Sequence, residues 1–295
     1  MMGDRAAADG GEAVLLRDVV AALEQLFPPE LAQSWDQVGL VSGDPEQPVR
    51  RVHFAVDPTL AVVQEAVAAG ADLLVTHHPL LLRGIHSVAT TSAKGATVTA
   101  LVVADLALYV AHTNADSAAV GVNSALARAC GLSDTTPLSE PEGTPMGLVG
   151  DLSESVSLQD FALGLASRLP AAPGGLRVAG PPQAPVTRVA LLGGAGDSLF
   201  QEVRASGADV YVTADLRHHP ALEAREEARG GPPYLVDAGH WASESLWLRH
   251  AADDLAAALS ARGASVDTHV SDLCTDPWTF TIGARDVRDL EGDDA

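Results

Sequence analysis

Gly70-Ala71-Asp72-Leu73-Leu74-Val75-Thr76-His77-His78-Pro79 reads as an apolar strand, entered from a turn glycine and closed by two histidines and a proline. Its first seven positions return as Gly207-Ala208-Asp209-Val210-Tyr211-Val212-Thr213, 137 residues later, and Gln64-Glu65 returns as Gln201-Glu202 at the same offset. At that offset Val52 falls on Val189, so the preceding strands coincide too. Further on, His112 and Asp116 follow an apolar strand, and His240 and Glu244 follow another with the same spacing, now 128 residues apart. A shorter connection in the second copy explains the changed offset. Two matches, in order and at strand ends, indicate a duplicated α/β unit, hence two similar α/β lobes.

The rest of the chain fits that plan. Residues 14–27 carry an apolar stripe at helical spacing and stop at Pro28-Pro29. Val52–Val56 is a strand. Asp57-Pro58-Thr59 then starts a helix, with Asp57 as N-cap, that runs to Ala69. A helix over Ala93–Asp105, a strand over Ala107–Ala111 and a helix over Val120–Cys130 follow. Strands alternating with helices predict parallel sheet members. The first lobe is expected over residues 13–132, a Pro/Thr/Ser/Glu-rich linker over 133–146, and the second lobe over 147–284. That second lobe opens with strand Gly147–Leu152, helix Leu158–Leu169 and strand Val186–Gly193. Residues 1–12 and 285–295 are expected to be mobile tails.

Composition narrows the function. Asp plus Glu number 39 against 18 Lys plus Arg, a net charge of −21, so a phosphate backbone is an unfavoured partner. The acidity is read as solubility. No apolar run reaches the ~20 residues of a membrane span, and the start of the chain lacks a basic, then apolar, signal pattern, so a cytoplasmic protein is expected. Cys130 and Cys274 are too few and too far apart for a disulfide framework or a zinc ribbon.

Chemistry gathers at strand ends, where open α/β sheets bind ligands. His77-His78 sits at one. On extended backbone the two rings point to opposite sides and suit two ions a few ångströms apart better than one. In His112-Thr113-Asn114-Ala115-Asp116, Asp116 offers a hard oxygen, while His112 reads equally as ligand, orienting group or buried histidine bonded to backbone. In Gly239-His240-Trp241-Ala242-Ser243-Glu244, a helix starting near Ala242 sets His240 before it and Glu244 one turn in, where a carboxylate can bridge two ions. His77, His78, Asp116, His240 and Glu244 supply three imidazoles and two carboxylates, a donor set for Zn, Fe, Mn, Co or Ni rather than Ca or Cu(I). Other features carry less. Trp35-Asp36 reads as a turn with an aromatic anchor, and His218-His219 as a cleft lining without metal contact. His53, His86, His250 and His269 read as surface or packing residues, and Gly193-Gly194-Ala195-Gly196 lacks a phosphate-loop pattern.

Four segments together resemble a known family: Ser34-Trp35-Asp36-Gln37-Val38-Gly39-Leu40, Thr76-His77-His78-Pro79, His112 to Asp116, and Gly239 to Glu244. The chain is similar, from about Val14 to Gly283, to the GTP cyclohydrolase I type 2 homologues, or NIF-three-like proteins, with a dinuclear metal centre. The resemblance implies two divalent ions in a cleft between the lobes, held by His77, His78, Asp116, His240 and Glu244, with Glu244 bridging. It implies a toroidal homohexamer, a trimer of dimers, and a connection here too short for the domain that some members insert between the lobes. Ala115 departs from the larger apolar residue usual there, a change not expected to affect ligation. The implied activity is hydrolytic opening of the GTP imidazole ring at C8 with loss of formate, in which Glu244 acts on the metals and His112 shuttles protons. The other reading is a non-catalytic metal-binding scaffold with a regulatory or metal-handling role. A basic cluster beside the metals would discriminate, and the sequence offers only Arg83, Lys94 and Arg217 for it.

Overall fold

The computed structural model describes residues 14–282, so the expected tails at 1–12 and 285–295 lie outside the described residues. The first half contains β1 (Val14–Leu15), α1 (Leu16–Leu26), β2 (Gly39–Ser42), β3 (Pro48–Val49), β4 (Arg51–Ala55) and α2 (Leu60–Ala68). It continues with β5 (Leu73–Thr76), α3 (Ala93–Ala104), β6 (Ala107–Val110), α4 (Thr113–Ser117) and α5 (Val122–Cys130). The second half holds β7 (Thr135–Ser139), β8 (Met146–Ser157), α6 (Leu158–Ala166), β9 (Arg177–Ala179), β10 (Pro185–Ala195) and α7 (Phe200–Ser206). After these come β11 (Val210–Ala214), α8 (His218–Glu227), β12 (Tyr234–Asp237), α9 (His240–Ser245), α10 (Trp247–Ser260) and β13 (Asp267–Val270).

Two α/β sheets result. One is five-stranded, in order β13-β4-β5-β6-β2, and the other six-stranded, in order β7-β8-β10-β11-β12-β9. Each is built on three parallel strands, β4-β5-β6 in one and β10-β11-β12 in the other. The duplication extends to individual hydrogen bonds. The Asp72 carboxylate accepts the backbone N–H groups of Arg50 and Arg51 at 2.8 and 3.0 Å. Asp209, 137 residues on, accepts those of Thr187 and Arg188, both at 2.8 Å. Thus the repeated Gly-Ala-Asp is a strand-joining device and not only a pattern of apolarity. In the third strand of each lobe Ala107 matches Tyr234, since they pair with Leu73 and Val210 respectively. The second copy therefore has one more residue between strand and site histidine, and it is Gly239, at φ 76°. Left-handed backbone of that kind suits glycine.

The cores explain how the lobes join. Helix α5 is buried on most of its sides: Val122 and Ala125 pack with the first sheet, while Leu126, Ala127 and Cys130 pack with the second. A helix with two apolar faces must be covered on both. Helices α1 and α10 share the first of these layers, with α2 and α3 on the far face of the first sheet.

Three expectations are corrected. The second lobe does not hold all of residues 147–284: α10 packs in the first lobe's core, and β13 adds to the edge of the first sheet, His269 opposite His53. Residues 133–146 are not a free linker, because β7 pairs antiparallel with β8 and closes an edge of the six-stranded sheet. Helix α2 is capped by Thr59, whose hydroxyl accepts the Val62 N–H at 3.2 Å, which leaves Asp57 to another task.

Candidate metal centre

Strand β5 ends at Thr76 and the chain bends at His77 and His78. The Thr76 hydroxyl donates to the His78 carbonyl at 3.0 Å and holds that bend. The strand rule would send the two rings apart. Here they converge, with centroids 5.0 Å from each other, because the backbone has left the strand before the histidines. Helix α9 begins at His240, earlier than the sequence suggested, so His240 and Glu244 lie one turn apart on the same face, 3.0 Å between Nε2 and Oε1.

Each of the four histidines at the site has its Nδ1 engaged. His77 Nδ1 donates to the Ala111 carbonyl at 2.9 Å, and His78 Nδ1 to Asp57 Oδ1 at 2.7 Å. His112 Nδ1 donates to Asp36 Oδ1 at 2.9 Å, and His240 Nδ1 to Asp215 Oδ2 at 2.8 Å. A neutral imidazole carries one N–H. With Nδ1 donating, Nε2 of each neutral ring is the nitrogen left with a bare lone pair. This is how proteins orient histidine ligands. The Nε2 atoms of His78 and His240 face each other at 3.2 Å, and Glu244 enters between the rings, 3.0 Å from His78 Nε2 and 3.5 Å from His77 Nε2. Asp116 Oδ1 stands 3.7 Å from His77 Nε2.

Ligand atoms fall into two triads, each with all atoms within 4.8 Å of one another: His77, His78 and His112, and His78, His240 and Glu244. His78 belongs to both. The structure thus groups His112 with residues that could hold an ion, and sets Asp116 beside the first triad through His77. His218 and His219 belong to neither triad; they open α8, where His218 lines a separate hollow with Arg177 and Arg225.

The residues fit a cation. His77 Nε2 and Asp116 Oδ1 are buried with no hydrogen-bond partner, a costly arrangement that positive charge relieves. The electrostatics carry the same signature. Burial alone would lower His78, yet Glu244 and Asp57 drive it up to about 10. His240, likewise opposed by burial, is raised to about 9 by Glu244 and Asp215. Burial pushes the Asp116 carboxyl up to about 7 against the pull of His77. Glu244 lies well below its ordinary value: the neighbouring histidines, His77 foremost, overcome its burial. Carboxylates and imidazoles packed this tightly share protons where a metal would otherwise compensate them.

Three supporting residues escaped the sequence reading. Asp57 and Asp215 orient His78 and His240, and Asp215 sits at φ 53°, in the left-handed region that aspartate tolerates. The third is Gly194 on β10: a Cβ there would fall 2.3 Å from Glu244 Oε1. The glycine run is thus the surface against which Glu244 rests. Asp36, read as structural, anchors His112 and also accepts Thr113 N–H at 3.0 Å. A cavity of about 600 Å³ opens onto the site, lined by Trp35, Leu82, His112, Asp116, Met146, His240 and Glu244 among others, with no lysine or arginine among its described lining residues.

Comparison with known proteins agrees with this architecture. The model of the Duf34/NIF3 (NGG1p interacting factor 3) family matches residues 14–277. A Streptomyces coelicolor protein described as a GTP cyclohydrolase 1 type 2 homolog is 50% identical over 282 residues, covering 94% of this chain and 98% of its own length. One of the same description from Mycobacterium tuberculosis is 34% identical, covering 90% and 97%. A solved Bacillus cereus structure titled as a protein related to NIF3 superposes with a TM-score of 0.84 at 25% identity, covering 92% of this chain and all of that one.

Proposed function

The chain belongs to the Duf34/NIF3 family, and from that premise we propose that it holds two divalent transition-metal ions and hydrolyses a small heterocyclic substrate beside them. The observation that carries the reading is the convergence of four Nε2 atoms and the Glu244 carboxylate beside an open cavity. His77 and His112, with Asp116 alongside, would hold one ion; His78, His240 and Glu244 would hold the other, with Glu244 near both sets. Such ions, when bound, supply Lewis acidity and lower the pKa of water. A purely structural site is more often closed by four protein ligands per ion, and here the donors are too few for that.

The chain's own residues do the rest. Asp36, Asp57 and Asp215 fix the tautomers of His112, His78 and His240. Trp35, 57% exposed and edge-on to His112 with centroids 6.0 Å apart, offers an aromatic face at the cavity mouth. Leu82 and Met146 add apolar wall. A planar heterocycle suits those walls. A triphosphate suits them less, since the cations once considered for it are elsewhere: Arg217 pairs with Asp197, and neither Arg83 nor Lys94 lines the cavity. GTP ring opening therefore stands as the substrate test the family description suggests. The lack of cations along this cavity favours, as second reading, a metal-binding scaffold or metal-handling protein. Self-association into a homohexamer is proposed with either reading; the outward Val102 and Val103 of α3, 67% and 82% exposed, give an apolar surface to cover. Light scattering that finds only monomer would contradict it. No described helix is long and apolar enough to cross a membrane.

The deciding experiment measures formate and other products from GTP, guanosine and a panel of nucleotides and phosphoesters, with Mn, Zn, Fe or Co. Wild type is compared with Glu244→Ala. Turnover in wild type alone supports the enzyme; equal background rates across the panel favour the scaffold.

A further inference from the structure

A second cluster of ligating side chains lies away from this centre and shares no residue with it. His53 on β4 and His269 on β13 are register partners in the parallel ladder, so their side chains leave the sheet on the same face. Their rings lie 4.9 Å apart. Glu65 of α2, which packs on that face, brings Oε2 to 3.0 Å from His53 Nε2. One ligand atom from each of the three falls within 4.8 Å of the others. His53 is fully buried, and its Nδ1 has no hydrogen-bond partner. It is Nε2 that faces the Glu65 carboxylate, so an ion held by both would take the place of the proton between them.

We propose that His53, Glu65 and His269 form a separate binding site for a single divalent transition ion of the zinc type, which clips the C-terminal strand β13 to α2 and β4. Two imidazoles and one carboxylate are a donor set for zinc, cobalt or nickel. The exposed His269 leaves the remaining position to water. Burial lowers the pKa of His53, so its imidazole is neutral at pH 7, the form a metal needs.

The position gives the clip a purpose. Strand β13 pairs only with β4, at the sheet edge, and reaches it from the far end of the chain. The Ser271 hydroxyl also donates to Glu65 Oε2, at the exit of that strand. Four residues on, the Thr275 hydroxyl bonds Asp57, the carboxylate that orients His78. An ion holding β13 would thereby steady the segment that buttresses the candidate metal centre. The edge strand is otherwise held by one ladder and a few side chains, and would fray first.

The test is zinc stoichiometry by elemental analysis after dialysis of the full chain, with the zinc-dependent rise in Tm as second readout. His269→Ala, at an exposed edge position, should fold and bind one equivalent fewer per chain than wild type, and Glu65→Gln should do the same. A His77→Ala, His78→Ala, Glu244→Ala chain should keep one equivalent, lost when His269→Ala is added. Unchanged stoichiometry in His269→Ala and Glu65→Gln overturns the proposal, whether or not the triple variant folds.

Discussion

Replacing Asp36 by Asn keeps the shape of a side chain that is wholly buried and removes its charge. The carboxylate accepts four hydrogen bonds: from His112 Nδ1 at 2.9 Å, Thr113 N at 3.0 Å, Thr113 Oγ1 at 2.5 Å and Gln37 N at 2.7 Å. Burial would raise its pKa, yet the bonds from His112 and Thr113 hold it down at about 2, against 3.8 for a free aspartate. At ~1.4 kcal/mol per unit, that difference stabilises the fold by ~2 kcal/mol at neutral pH. An amide has one accepting oxygen. Its NH₂ group would face donors, and an unmet buried donor costs ~1–3 kcal/mol. The two effects overlap, and we expect a loss of ~3 kcal/mol, or a fall in Tm of ~6–12 °C. The sign with pH follows from the lowered pKa: the contribution is present above pH 3.8 and lost as pH falls through about 2. The gap between wild type and Asp36→Asn should therefore narrow from pH 4 to pH 2 in urea titrations of metal-free protein. With His112 no longer held, metal affinity should drop ~10–100-fold in chelator competition. A variant within ~1 kcal/mol of wild type at pH 7, or a gap unaltered by acid, would refute the account of Asp36 as the charged anchor of His112.

In metal-free protein at pH 7 the raised His78 and His240, at about 10 and about 9, hold protons that an incoming metal must displace. Metal affinity should thus climb from pH 7 to 9 with proton release, read by calorimetry in buffers of different ionisation heat; a flat profile argues against it. The same raised values stabilise the metal-free fold most at pH below ~6.5, and that contribution fades as pH rises through 9 and 10, so its Tm should fall there while metal-loaded protein resists. Gly194→Ala puts a Cβ at φ 70° and 2.3 Å from Glu244 Oε1. It should cost ~1–2 kcal/mol of stability and at least tenfold in metal affinity, and wild-type metal content would contradict it. Trp247 is 1% exposed and edge-on to Phe27 at 5.0 Å, the joint between α10 and α1. Trp247→Ala should lose ~3–5 kcal/mol in denaturant melts, and a loss under ~1 kcal/mol would mean that α10 does not anchor the first lobe.

The sequence by itself determined the duplicated α/β units, the apolar strands and the residue types at their ends. These are local: an alternation of strand and helix, a turn glycine, an aspartate at a strand entrance and a histidine pair before proline each act within a few residues. Asp72 and Asp209 show how far that reaches, since the same short motif makes the same backbone bonds in both lobes. The residues of the candidate site were legible too, because histidine and carboxylate recur at successive strand ends. What only the tertiary structure decided involves partners distant along the chain. Asp267-Thr268-His269-Val270 has no apolar run of its own; it becomes a strand because β4 presents a free edge. Asp57 reads as a helix cap, and becomes the orienting group of His78 because the helix starts at Leu60 and the bend after β5 brings the imidazole to it. Gly194 looks like loop filler until Glu244, fifty residues later, is packed against it. The sheets were written locally, whereas the geometry of the candidate metal site is fixed by contacts between segments that meet only when both lobes pack against α5.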